Sequence, residues 1–231
     1  MNKQTLKNWP EIVQKELETE YMVQIANRLQ NVPDEQLCPP RHQILRAYEL
    51  VQAEDVKVVV LGLDPHINEE ACGLSFSCQT GKVPPPLRVI FSTFLKCGLS
   101  TARRTDGNLQ DWAEQGVLLL NTVLTTTRGK TLAHGAWGWQ QFTGATLKYL
   151  AQSNQPIVFL IWGNDAKASC AQYIKPFVNS NKLILENCHP VAEVYGRVKF
   201  SDSKCFLQTN EFLQAHNLKP ILWDGSSQTT V

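Results

Sequence analysis

The sequence predicts an α/β fold, a single-domain α/β/α sandwich around a central four-stranded parallel sheet. Four short apolar runs rich in β-branched residues alternate with longer segments of helical periodicity. The runs show continuous rather than alternating apolar character, which is typical of strands covered by helices on both faces. The chain of 231 residues, 43% of them hydrophobic, is long enough to bury one such core.

Each element follows from this pattern. The strands are predicted at residues 56–61, 117–120, 157–162 and 183–185. The helices are predicted at residues 10–29, 43–51, 87–95, 109–115, 139–151, 165–178 and 203–216. The prolines at 39–40 and 84–86 indicate turns rather than linkers. We therefore expect one domain over residues 1–231, with a helical segment at 1–38 packed on it and a frayed tail at 225–231.

Composition excludes several classes of protein. Lys and Arg number 22 against 21 Asp and Glu, so bulk positive charge does not attract this chain to nucleic acid. Its start lacks the apolar stretch of a secretory signal, and no long apolar run occurs. Seven Cys without CxxC or zinc-ligand spacing support neither a disulfide framework nor a metal site. We expect a protein of the bacterial cytoplasm with no membrane contact, no metal and no cofactor.

Polar side chains follow three of the predicted strands. Asp64 comes after the first run, Asn121 after the second and His189 after the fourth. The carboxyl ends of parallel strands meet at one edge of a sheet, where α/β proteins bind ligands. Each residue also has a structural alternative: a turn cap for Asp64, a loop anchor for Asn121 and a buried, hydrogen-bonded imidazole for His189. Three such residues at successive strand ends favour a functional site.

These strand ends resemble the motifs of the family-1 uracil-DNA glycosylases, from about residue 39 to 223. The run GVLLLNTVLT at 116–125 is similar to the family segment that carries its base-reading Asn. GLDPH at 62–66 resembles the water-activating motif Gly-Gln-Asp-Pro-Tyr, and GLSFS at 73–77 resembles the segment with the stacking Phe. FLIWG at 159–163, Gly138-Trp139 and His189-Pro190 match further family motifs in order.

The resemblance implies a monofunctional DNA glycosylase that hydrolyses the bond between a flipped-out pyrimidine and its sugar. Asp64 would offset positive charge on the sugar and orient the attacking water, and His189 would donate a hydrogen bond to the leaving base. Phe76 would stack on the extruded base, and Asn121 would pair with its Watson–Crick edge. Such an enzyme has DNA as its partner and needs no metal.

The family pattern changes where the pocket should limit the size of the base. His66 replaces the Tyr that blocks pyrimidine C5, and Leu63 replaces a Gln. Residues 68–72 differ from the glycine-rich stretch of the family and are fewer. These changes favour a C5-modified pyrimidine as substrate, such as hydroxymethylated or glucosylated cytosine of phage DNA, cleaved in antiviral defence. The alternatives are an ordinary uracil-DNA glycosylase of base-excision repair and an inactive relative that only binds DNA.

The predicted DNA-facing loops differ as well. Glu193 replaces the family's wedge Leu, so Val191, Val194 or Tyr195 is expected to enter the base stack instead. Pro86 replaces a phosphate-binding serine. Phosphate contacts are therefore expected from Lys130, His134, Lys167, Arg197, Lys199 and Lys204. We expect a monomer, and the sequence does not identify a protein inhibitor.

Overall fold

The structure, a computed structural model, describes residues 3–196 and 199–225. Its strands are β1 (Leu37–Cys38), β2 (Val58–Gly62), β3 (Val117–Asn121), β4 (Thr126–Thr127), β5 (Ile157–Trp162) and β6 (Lys182–Asn187). Four of them form a parallel sheet in the order β3-β2-β5-β6. The predicted parallel α/β fold is confirmed.

The sheet is the centre of the core. All residues of β2, β3 and β5 are buried, whereas β6 at the sheet edge is mostly half-buried. Because successive strand residues point to opposite faces, complete burial means that both faces of the three strands are covered. This explains why the sequence shows continuous apolar runs.

The α-helices surround this sheet. They are α1 (Glu11–Glu16), α2 (Glu20–Gln30), α3 (Arg46–Leu50), α4 (Pro85–Lys96), α5 (Gln110–Ala113), α6 (Trp139–Gln152), α7 (Asn164–Tyr173), α8 (Val191–Val194) and α9 (Cys205–Ala215). Short 3-10 turns cover Lys3–Leu6, Asp34–Gln36, Arg41–Gln43, Ala53–Asp55, Lys175–Phe177 and Phe200–Asp202.

Several predicted helices are shorter in the structure, and two of the differences have a clear local cause. The helix predicted at 10–29 is divided into α1 and α2, because Thr19 adopts an extended conformation and its hydroxyl donates to the Glu16 carbonyl at 2.6 Å. The helix predicted to reach residue 178 ends at Tyr173, and Pro176 lies in the 3-10 turn that follows. A proline has no N–H to continue the helical hydrogen bonds.

The two-residue strands β1 and β4 were not predicted. They pair antiparallel, with Leu37 opposite Thr127 and Cys38 opposite Thr126. Strands this short have no detectable alternation in sequence. Their pairing attaches the start of the segment between β4 and α6 to the N-terminal part of the domain.

Two further expectations concern the membrane and the thiols. Within residues 3–196 and 199–225 there is no helix with the length and apolarity needed to cross a bilayer. All seven cysteines are free thiols, five of them buried and two half-buried. The residues of the predicted tail after Gly225 lie outside the described part of the chain.

Candidate active site

A cavity of about 360 Å³ lies beyond the carboxyl ends of the parallel strands. The chain leaves β2 toward β3 on one side and leaves β5 toward β6 on the other, so the cavity sits where the strand order reverses. Its walls include the three residues predicted from the strand ends, Asp64, Asn121 and His189, and also Phe76. The structure therefore brings together side chains that lie up to 125 positions apart in sequence.

Asp64 lies in the turn that follows β2, half-buried in the cavity wall. Its Oδ2 accepts a hydrogen bond from the backbone N–H of Leu132 at 2.6 Å. Burial raises the pKa of the Asp64 carboxyl, while the Leu132 N–H and nearby His66 oppose that rise. The short hydrogen bond from the Leu132 N–H thus stabilises the charged Asp64 carboxylate in a partly desolvated site.

His189 faces the cavity from the segment after β6. Its Nδ1 accepts a hydrogen bond from the Val191 N–H at 3.2 Å, so in the neutral ring the proton is on Nε2. Burial lowers the pKa of His189, which favours this neutral form. Gly163 makes room for the ring, because a Cβ there would lie 3.0 Å from the His189 Cβ. The site thus presents a neutral N–H donor.

Asn121 is the last residue of β3 and is 6% exposed. Its amide lies against Gly62, where an added Cβ would approach the Asn121 Oδ1 to 2.2 Å. A side chain at position 62 would therefore displace the amide from the cavity. The carboxamide offers a donor and an acceptor side by side, the arrangement needed to read the edge of a planar base.

Phe76 forms an aromatic wall of the cavity. Its ring centroid lies 5.5 Å from that of Trp162 and 5.7 Å from that of His189. The Phe76 backbone has a φ of 62°, a conformation that side chains other than glycine and asparagine rarely adopt. Strain of this kind is kept where the surrounding structure fixes a functional geometry.

His66 and Leu63 also line the cavity, as predicted for residues that contact the base. The His66 Nδ1 lies 3.9 Å from Glu70 Oε2. Its Nε2 is buried, and no hydrogen-bond partner occurs for it among the described residues. At this point the cavity wall is therefore the His66 imidazole, with the Glu70 carboxylate near its Nδ1.

His134 is placed differently from the prediction. It is 2% exposed, and its two ring nitrogens lie 2.9 and 3.1 Å from the hydroxyls of Thr125 and Thr127. Its ring stacks on Trp137 with centroids 3.6 Å apart. Burial lowers its pKa to about 4. A neutral ring whose two nitrogens both contact threonine hydroxyls has no group left to bind a phosphate. The structure therefore does not fit the prediction that His134 contacts DNA.

The segment around α8 carries the residues predicted near the wedge position. The carboxylate of Glu193 points into the fold, where it accepts hydrogen bonds from the Ser201 N–H at 2.7 Å and its hydroxyl at 2.6 Å. Lys96 Nζ donates to the same hydroxyl at 2.5 Å. Val194 and Tyr195, by contrast, are 53% and 71% exposed. Glu193 is thus an internal anchor, and its two neighbours form an exposed apolar tip.

The remaining predicted DNA contacts differ in their exposure. Pro86 is part of the cavity wall at the start of α4, and Val191 is half-buried beside His189. Lys130, Lys199 and Lys204 are exposed, whereas Lys167 is half-buried in α7. Arg197 lies outside the described residues.

Sequence reasoning missed Leu132 and gave no role to Asp165. Leu132 acts through its backbone N–H, which no side-chain motif reveals. Asp165 lines the cavity at the start of α7. Its negative charge adds to the rise in the pKa of Asp64 and opposes the lowering of the pKa of His189 by burial. The strand-end rule that selected Asp64 also reaches Asp165, which follows β5 by three residues, but the sequence alone suggests no role for it.

Comparisons with known proteins agree with this geometry. The family model described as "Uracil DNA glycosylase superfamily" matches residues 49–214. The chain is 38% identical to the uracil-DNA glycosylase of Exiguobacterium sibiricum, over 93% of this chain and 97% of that protein. It is 36% identical to that of Idiomarina loihiensis, over 93% of this chain and 99% of that protein.

Solved structures share the fold. The mimivirus uracil-DNA glycosylase superposes with a TM-score of 0.84 at 24% identity, covering 97% of this chain and 90% of that one. A Y322L form of the mimivirus protein was solved in complex with UGI. The UNG of Nitratifractor salsuginis superposes with a TM-score of 0.61 at 17% identity, covering 94% of this chain and 96% of that one.

Proposed function

The chain belongs to the uracil-DNA glycosylase superfamily, and we propose that it removes uracil from DNA and leaves an abasic site for base-excision repair. Its reaction class, hydrolysis of an N-glycosyl bond by a monofunctional DNA glycosylase, follows from that membership. The observation that carries the proposal is the single cavity lined by Asp64, Asn121, Phe76 and His189. The name shared by the relatives supports uracil over the modified pyrimidine that the sequence favoured.

Breaking an N-glycosidic bond leaves positive charge on the sugar and negative charge on the base. In the proposed mechanism the Asp64 carboxylate offsets the sugar cation and orients the attacking water. The neutral His189 donates its Nε2–H to the base oxygen that becomes anionic, a role that its Nδ1 contact with the Val191 N–H supports. Water adds its hydroxyl to C1′ and gives its proton to the Asp64 carboxylate, and the base leaves as an anion with the electron pair of the broken bond.

Recognition of the base is assigned to the buried side of the cavity. Phe76 provides the face on which the flipped base stacks, and the Asn121 carboxamide pairs with O4 and N3–H of uracil. Both residues are held by close contacts: Asn121 against Gly62, and Phe76 between Trp162 and His189. A base pocket fixed in this way needs little rearrangement when substrate enters.

Extruding a base from a duplex leaves a gap that the protein must fill. We assign that task to Tyr195, with Val194 beside it, because they are the exposed apolar residues of the segment that carries His189. Glu193 is excluded from it by its hydrogen bonds to Ser201. We assign backbone phosphate contacts to the exposed Lys130, Lys199 and Lys204, to Lys167 and to Arg197.

The proposed substrate is tested by incubating the protein with duplexes that each hold one uracil, thymine, cytosine, 5-hydroxymethylcytosine or glucosylated 5-hydroxymethylcytosine. Cleavage of abasic sites with hot alkali gives the rate of base release. We expect release from the uracil duplex, and none from the others above that of an Asp64→Asn control. Release from no duplex would contradict the proposal and favour a protein that only binds DNA.

A C5-modified pyrimidine is a second candidate, and one observation favours it. His66 stands on the cavity wall where the family has a larger Tyr. Under this alternative, which would place the enzyme in antiviral defence, hydroxymethylated or glucosylated cytosine is released faster than uracil. A His66→Tyr variant should then lose release of the modified base while keeping that of uracil.

Three further expectations stay proposals. We propose that the enzyme acts as a monomer, that it works in the cytoplasm and that DNA is its main partner. A protein inhibitor is a further candidate partner, because a form of the mimivirus protein was solved in complex with UGI. Inhibition of uracil release by UGI, measured against a matched inert protein, tests this last point.

A further inference from the structure

The segment between β4 and α6 covers the Asp64 side of the cavity. Within it, the Leu132 N–H donates to Asp64 Oδ2 at 2.6 Å. In the described part of the chain, this is the one hydrogen bond that reaches the Asp64 carboxylate. Asp64 Oδ1 therefore stays available to substrate and water.

The backbone of Leu132 adopts an unusual conformation. Its φ is 55°, in the left-handed region that favours glycine and asparagine, and its side chain is 38% exposed. Since the side chain is not packed in the core, its burial does not explain the conformation. What the conformation fixes is the direction of the N–H. Leu132 and Phe76 are two of the three described residues other than glycine with positive φ, and both flank this cavity.

Hydrogen bonds hold the segment on either side of Leu132. The Thr126 hydroxyl donates to the Lys130 carbonyl at 2.6 Å and accepts from the Ala133 N–H at 3.2 Å. His134 lies between the Thr125 and Thr127 hydroxyls. These contacts lie immediately before and after the strained residue, so they can maintain its conformation.

We propose that Leu132 is a positioning residue: its N–H, held by the Thr126 and His134 contacts, fixes the Asp64 carboxylate so that Oδ1 faces the reacting sugar and water. The inference rests on the role proposed above for Asp64. It assigns a function to the buried histidine, which stabilises the segment instead of contacting DNA.

The protonation of Asp64 gives this role a measurable signature. A hydrogen bond to a carboxylate stabilises its charged form, so losing the Leu132 N–H should raise the pKa of Asp64. The other charged or titratable groups that face Asp64 are His66 in its own turn, Asp165 at the start of α7 and His189 across the cavity. None of them changes when a backbone N–H is removed. The acid limb of the pH profile therefore reports on the Leu132 contact.

The direct test replaces the amide of residue 132 with an ester by incorporating the α-hydroxy analogue of leucine, which removes the N–H and keeps the side chain. We expect kcat on a uracil duplex to fall about tenfold with KM unchanged, and the acid limb of kcat to move to higher pH. The matched control is an ester at Leu218, made with the same leucine analogue, whose N–H bonds to the Leu213 carbonyl and not to the segment around Leu132. That control should leave the acid limb in place.

A second pair of variants needs only ordinary mutagenesis. Thr126→Val removes the hydroxyl that anchors the segment, whereas Thr209→Val removes a buried hydroxyl bonded within α9. Both should lower the urea midpoint, but only Thr126→Val should shift the acid limb. An ester at 132 with the parent kcat and acid limb would overturn the inference. An active Asp64→Asn variant would instead overturn the proposed role of Asp64 itself.

Discussion

The floor of the cavity is formed by residues at or just after the carboxyl ends of sheet strands, whereas the part that we call its rim includes Pro86 and the exposed end of α8. Asn121 is 6% exposed and His189 is half-buried, but Val194 and Tyr195 are 53% and 71% exposed. On the floor, Asp64, Asn121 and His189 each stand where the family motif has the same residue. On the rim, Glu193 and Pro86 differ from the family pattern.

This difference shows which parts of such a site can change. The sheet register sets the position of a residue at the end of a strand. No neighbouring side chain can take over its chemical role. A rim residue contributes shape or charge that a neighbour can supply. Glu193 illustrates this, because it has become an anchor for Ser201 while the adjacent residues form the exposed tip. Three predictions test the contrast, beginning with the largest effect.

The largest effect is expected on the floor. Asp64→Asn and His189→Ala should each lower kcat about a hundredfold or more, because charge that develops in the transition state loses its partner. Thermal unfolding of both variants should stay close to that of the parent. Asp34→Asn is a suitable control, since this exposed carboxylate does not line the cavity. Parent-like turnover by either variant would contradict the roles assigned to the floor.

An intermediate effect is expected from His134, which holds the segment around Leu132. The pKa of His134 is about 4 when folded and about 6.5 when unfolded, so the unfolded chain binds more protons between those values. This stabilising contribution is fully present above pH 6.5 and is lost as pH falls toward 4, by about 3 kcal/mol. Urea unfolding from pH 7 to 4.5 measures the slope.

The His134 slope has a matched control. His134→Gln should flatten the dependence of unfolding free energy on pH, whereas His42→Gln, at an exposed position, should preserve it. If both variants keep the parent slope, His134 is not the group that titrates. That result would also weaken the view that its neutral ring stabilises the segment around Leu132.

The smallest effect is expected at the exposed tip. Tyr195→Ala should slow release of uracil from a duplex about tenfold and leave release from a single strand unchanged, because an unpaired strand has no stack to enter. Ile12→Ala, another exposed apolar side chain, should change neither rate. Equal losses on duplex and single strand would assign Tyr195 to general binding rather than to opening the stack.

Much of the fold was predictable because burial leaves a pattern. Continuous apolar runs indicated the strands, and 157–162 agrees at both ends with β5. The division of α1 from α2 was missed, since it depends on one threonine side chain rather than on periodicity. The helix α8 was missed because four residues are too few to show a period.

The candidate site divides in the same way. Asp64, Asn121 and His189 were predicted from their places after strands, and the structure puts all three on one cavity. His134 was predicted to contact phosphate from the loop after the second strand, yet it is buried between two threonines. The amino-acid type of a histidine does not distinguish a surface ligand from a buried, hydrogen-bonded ring.

The sequence by itself determined the parallel α/β sheet, the residues at its carboxyl edge and the family of the chain, because hydrophobic period and strand-end motifs are local properties of the chain. Only the tertiary structure decided where Glu193 points, what surrounds His134 and which N–H holds Asp64. Each of these contacts joins two segments that meet only after folding. Three-dimensional packing therefore determines the partner of each polar group.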